Sequence, residues 1–250
     1  MFRPAHASLA AIAFLAACAV QPPARQTLET GTLLPTPFAE ARPIDASPAG
    51  WHTYKLLRFK RPTRFTFVKE GDDIVVHAHA ASSVSGIQQN VSVDPQEFPY
   101  ATWRWRVPRL IEEADNLVPA LADSPARVVF TFEGGRERLP PEEQITYDLA
   151  YAITGNPLPY ATLMYIWEPG RPVGEILTHY NSTRVKMVVA ANAQRDLSRW
   201  HTERVNLLED YRRAFGEDPP RVNTVGIMTD SDNTGTVVDA FYGDIRFLAK

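Results

Sequence analysis

The stretch Ala101-Thr102-Trp103-Arg104-Trp105-Arg106-Val107 alternates with a period of two. Successive side chains of a strand point to opposite faces, so Trp103, Trp105 and Val107 fall on one side and Arg104 and Arg106 on the other. The same pattern returns in Arg127 to Phe132, where Val128, Phe130 and Phe132 oppose Arg127 and Thr131. It returns again in Thr183 to Ala190, where Val185, Met187 and Val189 oppose Arg184 and Lys186. Working outward, the spacing predicts strands at Tyr54 to Leu57, Thr63 to Lys69, Ile74 to Ala80, Ile87 to Val93, Tyr160 to Trp167, Trp200 to Asn206, Arg221 to Thr229 and Val237 to Leu248. Turn signals such as Glu70-Gly71-Asp72-Asp73 separate them.

Helical signals are few. Leu207 to Phe215 is stopped by Gly216 and then Pro219-Pro220, and shorter helical segments are expected at Arg109 to Ala114 and within Pro141 to Tyr151. About ten strands with one or two short helices predict an all-β fold, an antiparallel β-sandwich of jelly-roll type, with a closed barrel as the competing architecture. With 44% hydrophobic and 22% charged residues, the 250-residue chain can bury a core. A net charge of −3 lacks the basic excess of a nucleic-acid binder. Its one cysteine excludes an internal disulfide and any multi-cysteine zinc site.

That cysteine decides the reading of the N-terminus. Arg3 precedes an uncharged run from Ala7 to Ala17, too short to cross a bilayer and matched to the apolar region of a secretory signal. The run ends Leu15-Ala16-Ala17-Cys18, which resembles the lipobox of bacterial lipoproteins. The resemblance implies cleavage before Cys18, lipidation of its sulfur, and a signal peptide over residues 1–17. With Ala19 in the next position it implies an outer-membrane anchor facing the periplasm. Residues 18–49 carry Pro22, Pro23, Pro35, Pro37, Pro43 and Pro48, a density that reads as an extended tether, with Leu33-Leu34 and Phe38 able to pack back on the domain. One β-rich domain is expected over residues 50–250.

Six separated strings go further. They are Trp103-Arg104-Trp105-Arg106-Val107, Ala126-Arg127-Val128, Tyr165-Ile166-Trp167, Asp210-Tyr211-Arg212-Arg213-Ala214-Phe215-Gly216, Met228-Thr229-Asp230-Ser231-Asp232-Asn233-Thr234-Gly235 and Tyr242-Gly243-Asp244-Ile245. In that order they resemble the bacterial domain-of-unknown-function family 3047, a resemblance that spans about residues 50–250 and implies no activity. Asp123-Ser124 departs from the family pattern, which has paired aspartates ahead of the arginine. The closing Gly-Asp-Ile strand also resembles the last strand of galactose-binding-like sandwiches.

Two groups of residues are candidates for ligand binding. Arg104, Arg106, Arg127, Arg184 and Lys186 project away from the expected core; on neighbouring strands they would form a cationic face for a carboxylate, sulfate or phosphate. On the alternative reading they are a solvated face, each paired with nearby Asp or Glu. The turn Asp230-Ser231-Asp232-Asn233-Thr234-Gly235 begins like a calcium loop but has Phe241 where an EF-hand needs its twelfth-position glutamate. Asp230 and Asp232 with a distant carboxylate such as Asp244 remain a possible Ca²⁺ set; Asp230, Asp232 and Asn233 can equally bond sugar hydroxyls or cap a hairpin. His77-Ala78-His79 puts two imidazoles on one strand face without a third metal ligand. Trp103 and Trp105 are expected in the core, leaving Trp51, Trp167 and Trp200 as possible stacking platforms.

The function expected from these features is non-covalent binding of a glycan or acidic envelope component. The alternatives are a polysaccharide lyase or hydrolase on the same scaffold and a structural lipoprotein that docks another envelope protein. A lyase would gather Arg127, Arg184 and His179 or Tyr165 in one groove. A hydrolase would draw its carboxylates from Asp210, Glu168, Asp230 and Asp232.

Overall fold

The computed structural model describes residues 32–40, 50–55, 59–154 and 157–250. The expected signal peptide, Cys18 and most of the tether lie outside them. The first strands are β1 (Trp51–Tyr54), β2 (Arg64–Glu70), β3 (Asp73–Ala81), β4 (Val84–Val93), β5 (Tyr100–Arg106) and β6 (Ser124–Phe132). After helix α1 (Pro141–Thr154) come β7 (Ala161–Trp167), β8 (Ile176–Thr178), β9 (Val185–Ala191) and β10 (His201–Asn206). Helix α2 (Leu207–Phe215) leads to β11 (Val222–Asp230), β12 (Val237–Tyr242) and β13 (Arg246–Leu248).

The strands form two sheets, as the alternation predicts. The seven-stranded sheet has the order β1-β4-β11-β6-β7-β9-β8, and the six-stranded one the order β10-β5-β12-β3-β2 with β13 also on β5. Pairing is antiparallel except for β7 with β9, which run parallel. The sheets meet through their aromatic faces. Trp103 packs 5.1 Å from Tyr165 and 6.4 Å from Phe130, and Trp105 lies 5.6 Å from Trp167. Tyr242 ties the layers with a polar contact: its hydroxyl donates to the Met228 carbonyl at 2.8 Å and accepts from the Arg127 amide at 3.3 Å. This is a mostly β chain folded as a two-sheet sandwich.

Local chemistry sets the element ends. Helix α2 starts where the Asn206 side chain accepts the Glu209 amide, and it stops at Gly216, which takes a left-handed φ of 72° and donates to the Arg212 carbonyl. The segment Arg109 to Ala114 forms turns, so the short helix expected there is replaced by a loop that seats Ile111 and Ala114 on Ala80 and Val238. The long strand expected from Val237 to Leu248 breaks at Gly243, whose amide donates to the Arg104 carbonyl at 2.8 Å. The chain shifts there from the end of β5 near Arg106 to its start near Thr102.

Part of the proline-rich segment joins the domain. Leu33 exchanges two backbone hydrogen bonds with Ser92, at 2.8 and 2.9 Å. Phe38 is 1% exposed, lying 4.9 Å from Trp51 and 6.0 Å from Phe67. Its amide donates to Asp244 at 2.6 Å.

Candidate functional site: an open aromatic and charged sheet face

The outer face of the six-stranded sheet is built by the alternation read in β5. With Trp103 and Trp105 inside, Arg104 and Arg106 stand outside, half-buried. On β12 the same rule turns Asp239 and Phe241 outward, and on β3 it turns His77 and His79 outward. Trp200, just before β10, lies over both arginines, its ring centre 4.7 Å from the Arg104 guanidinium and 5.1 Å from that of Arg106. Arg106 also sits 4.2 Å over the Phe241 ring, whose neighbour His77 stacks at 4.6 Å with the planes 8° apart. His77 and His79 both meet Asp239 Oδ1, at 2.8 and 2.9 Å. The result is a continuous row, Trp200–Arg106–Phe241–His77–Asp239–His79, in which flat rings alternate with hydrogen-bonding groups.

Carboxylates complete this face. Arg106 makes a bidentate pair with Glu70, at 3.0 and 3.1 Å, and Glu70 also accepts the Trp200 indole N–H at 3.1 Å. Arg104 donates to Asp73 at 2.6 Å. Both acids sit where β2 turns into β3 at Glu70-Gly71-Asp72-Asp73, so the turn that punctuates the sequence also supplies the arginines with counter-charge. Although burial pushes Asp239 up, hydrogen bonds and charge from His79 and His77 hold its carboxyl below the usual range. The cations are thus neutralised in place, and an incoming anion would have to displace Glu70 or Asp73.

The remaining basic residues are elsewhere. Arg127 and Lys186 belong to the seven-stranded sheet and Arg184 immediately precedes its strand β9, so the five cations do not share one face; each is paired within its own layer. Alternation along a strand tells which side a residue faces and says nothing of which sheet the strand joins. Arg127 is buried, its Nε and Nη2 each 2.9 Å from an Asp230 oxygen, with Nη2 also bonding the Ala122 carbonyl at 3.1 Å. Arg184 bonds Glu217 at 2.7 Å and lies 4.2 Å over Tyr160. Lys186 donates to Thr178 at 2.7 Å.

The acidic turn is equally engaged. Asp230 serves Arg127, and Asp232 accepts Lys60 Nζ at 2.5 Å. Asp123 is the acceptor on which the turn closes, receiving both nitrogens of Asn233 at 3.3 and 3.2 Å, and the amide and hydroxyl of Thr234 at 2.7 Å each. Carboxyl oxygens of Asp123, Asp230 and Asp232 lie within 4.8 Å of one another. Asp244 is not part of this group; it bonds Phe38 and Arg246. A calcium ion fits this arrangement poorly, because Arg127 and Lys60 already hold two of the three acids and would repel a divalent cation. Burial presses Asp230 up to about 6 against the pull of Arg127, with Asp123 adding repulsion. Burial and the Arg127 charge together lower His179 to about 4, which leaves it neutral near pH 7.

Next to this network a cleft of about 270 Å³ is lined by Ala114, Asp115, Glu168, Gly170, Arg171, Pro172 and Glu175. Glu168 is 1% exposed, follows the last residue of β7, and takes a short hydrogen bond from Asn116 Nδ2. Burial raises its carboxyl above the usual value, over the opposing pull of Asn116 and Arg127. The Leu117 amide lowers Asp115, helped by Arg171 at 3.0 and 3.2 Å. Asp115, Asn116 and Arg171 carry no sequence signal, since only the fold brings their loops to Glu168. Asp239 did carry one, the alternation of Val237 to Tyr242.

Four of the five tryptophans, Trp51, Trp103, Trp105 and Trp167, are buried, and Trp200 alone keeps part of its ring exposed. A lyase groove is not assembled. Tyr165 is fully buried with its hydroxyl on Asp210 at 2.9 Å, and Arg184 precedes the start of β9, far along the sheet from Arg127.

The sequence profile described as "Protein of unknown function (DUF3047)" matches residues 49–246. No curated protein matches the chain. Among solved structures it is similar to a family 11 carbohydrate-binding module from Clostridium thermocellum in complex with a β-1,3-1,4-mixed-linked tetrasaccharide. The identity is 6% and the TM-score 0.36, over 83% of this chain and 93% of that one. It is also similar to CBM28, a carbohydrate-binding module specific for non-crystalline cellulose, with 12% identity and a TM-score of 0.36, over 84% and 96% of the two chains. At these values the likeness carries no inference about ligand or residues.

Proposed function

We propose that this chain, which belongs to the DUF3047 family, is a lipid-anchored envelope protein that binds a glycan non-covalently on the outer face of its six-stranded sheet. One observation carries the reading: Trp200, Phe241, Arg104, Arg106, His77, His79 and three carboxylates form a half-exposed row on an open sheet. A sugar ring presents an apolar C–H face and a rim of hydroxyls. Trp200 offers a plane for the first, while Glu70, Asp73 and the imidazoles offer donors and acceptors for the second. Since each guanidinium already has a carboxylate partner, neutral hydroxyl-rich chains suit the face better than strongly acidic ones. The N-terminal sequence supports the address, through the apolar run that ends in Cys18.

Titration of the chain with neutral and acidic polysaccharides, followed by tryptophan emission and calorimetry, tests this reading. Trp200→Ala and Arg106→Ala should each weaken a ligand at least tenfold, as anchors at a binding surface do. Unchanged affinity in both variants overturns the proposed face.

A second reading, a polysaccharide-active enzyme, is favoured by the cleft in which Glu168 and Asp115 have opposed proton affinities. Shortened sugars released by the wild-type chain and absent with Glu168→Gln would establish it.

A further inference from the structure

Helix α1 is held to the domain by one side. Glu143, buried, accepts the Ser182 hydroxyl at 2.8 Å and the Thr183 amide and hydroxyl at 2.5 and 2.6 Å. Tyr147, one turn on, packs against the core, and Arg136 clamps Asp148 at 2.5 and 2.6 Å and Gln144 at 2.8 Å. On the opposite side, Ile145, Leu149 and Ile153, at i, i+4 and i+8, are 70, 60 and 64% exposed among the described residues, with Glu142 at the N-terminal end of the same side. At about 100° per residue they fill one stripe, which points away from Glu143 and Tyr147. Single exposed aliphatics are ordinary; three in a row on a helix otherwise pinned by polar contacts form a surface.

The topology says what this surface meets. Val222 pairs with Val93 and with Phe132, and Phe132 pairs with Ala161, so these residues mark one end of the sandwich. Helix α1 lies in the connection between Phe132 and Ala161, at that end. Leu33 bridges to Ser92, so the N-terminal segment leaves the domain at the same end. Fourteen peptide units separate residue 32 from Cys18, a reach of at most about 50 Å. A lipid on Cys18 therefore places a bilayer within range of α1 and keeps the glycan-binding residues on a different surface.

We infer that the Ile145–Leu149–Ile153 stripe of α1 lies on the membrane as an interfacial helix, a second contact beside the lipid anchor. The position of the membrane rests on the lipid-anchor reading; the stripe's affinity for lipid does not. The acyl chains on Cys18 would hold the chain at the bilayer, and an apolar contact beside them would fix which end of the sandwich faces it.

The test uses residues 18–250, the chain without its apolar leader, with Cys18→Ala, which removes the lipid and the only cysteine, and zwitterionic phosphatidylcholine/phosphatidylethanolamine vesicles. The unlipidated chain should co-float with vesicles, and Ile145→Glu and Leu149→Glu should each lower partition about tenfold while leaving the melting temperature unchanged. A spin label at Leu149→Cys should be accessible to oxygen and shielded from aqueous nickel on vesicles. Overturning results are flotation unchanged by both glutamates, a label fully open to nickel on bound chain, or concentration-dependent dimers abolished by Ile145→Glu, which would assign the stripe to a second copy. Mass spectrometry of native Cys18 tests the anchor separately: an unmodified thiol would remove the anchor and leave the vesicle result to stand or fall alone.

Discussion

Replacing Arg127 with alanine distinguishes a ligand contact from a structural one. In the fold its guanidinium makes two 2.9 Å bonds to Asp230 and one to the Ala122 carbonyl, and the pair is almost completely buried, with side-chain exposures of 4 and 6%. Asp123 and Glu168 are close enough to feel its charge. Arg127→Ala leaves Asp230, Asp123 and Glu168 without the buried charge that faces all three, and breaking such a pair costs about 3–5 kcal/mol. With a urea m-value of about 2 kcal/mol/M, the unfolding midpoint should fall by roughly 1.5–2.5 M at pH 7.5. Asp230→Asn should cost less, because an amide oxygen still accepts from Arg127 and the Asp123 and Glu168 charges remain. The double variant Arg127→Met with Asp230→Leu should recover most of the loss, since apolar groups of similar volume replace such pairs well. Urea unfolding followed by tryptophan emission gives all three values. A loss under about 1 kcal/mol for Arg127→Ala, together with lost glycan affinity, would refute the structural role and return Arg127 to the ligand surface.

Three further outcomes are expected. Stability should peak on the acid side of neutrality, because two sets of groups oppose each other. Asp230 and Glu168, raised by burial, contribute stability that is full below the ordinary carboxylate range and is lost as pH rises, through about 6 for Asp230. Glu143 and Asp239, lowered despite burial by their hydrogen-bond donors, contribute stability present above that range and lost as pH falls through their folded values. A melting temperature that rises monotonically from pH 5 to 8 would contradict this. Phe38→Ala should cost about 3 kcal/mol and expose residues 32–40 to proteases; resistance equal to wild type would show that Phe38 does not hold them. Gly243→Ala would put a Cβ 2.5 Å from Arg104 Cγ and 2.7 Å from its Nε. The arginine must leave its place beside Trp200, so sugar affinity should fall several-fold with stability changed by about 1 kcal/mol; an unaltered affinity would remove Arg104 from the site.

The period-two pattern carried most of the fold. It placed Trp103, Trp105, Val128, Phe130 and Phe132 inside, and punctuation by Gly216 and the proline pair bounded α2. What it missed depends on partners distant in sequence. The short strand β8 has no pattern of its own and exists because β9 offers it an edge, and the parallel pairing of β7 with β9 follows from the route of the connection between them. The break at Gly243 reflects the close approach of Arg104, invisible in a run that alternates smoothly. The candidate site divides the same way. Arg104 and Arg106 were legible as an outward pair, but Arg127 shared their pattern and ended buried, because alternation cannot show that its own face is covered by Met187 and Ala122. Glu168 was visible only as one carboxylate among several; Asn116, Asp115 and Arg171, which give it a setting, come from separate loops.

The attachment of residues 32–40 has a mechanical consequence. Tension on the N-terminal segment, whether from thermal motion of a bilayer or from a tethered partner, reaches the two hydrogen bonds between Leu33 and Ser92 first and the Phe38 plug next. The load falls on a nine-residue peel before it reaches the pairing of β1 with β4. A modest pull should therefore lengthen the leash in a discrete step and leave the sandwich intact. On recoil the segment would re-seat against Trp51 and Phe67, so the domain would carry a resettable extension where residues 32–40 join it.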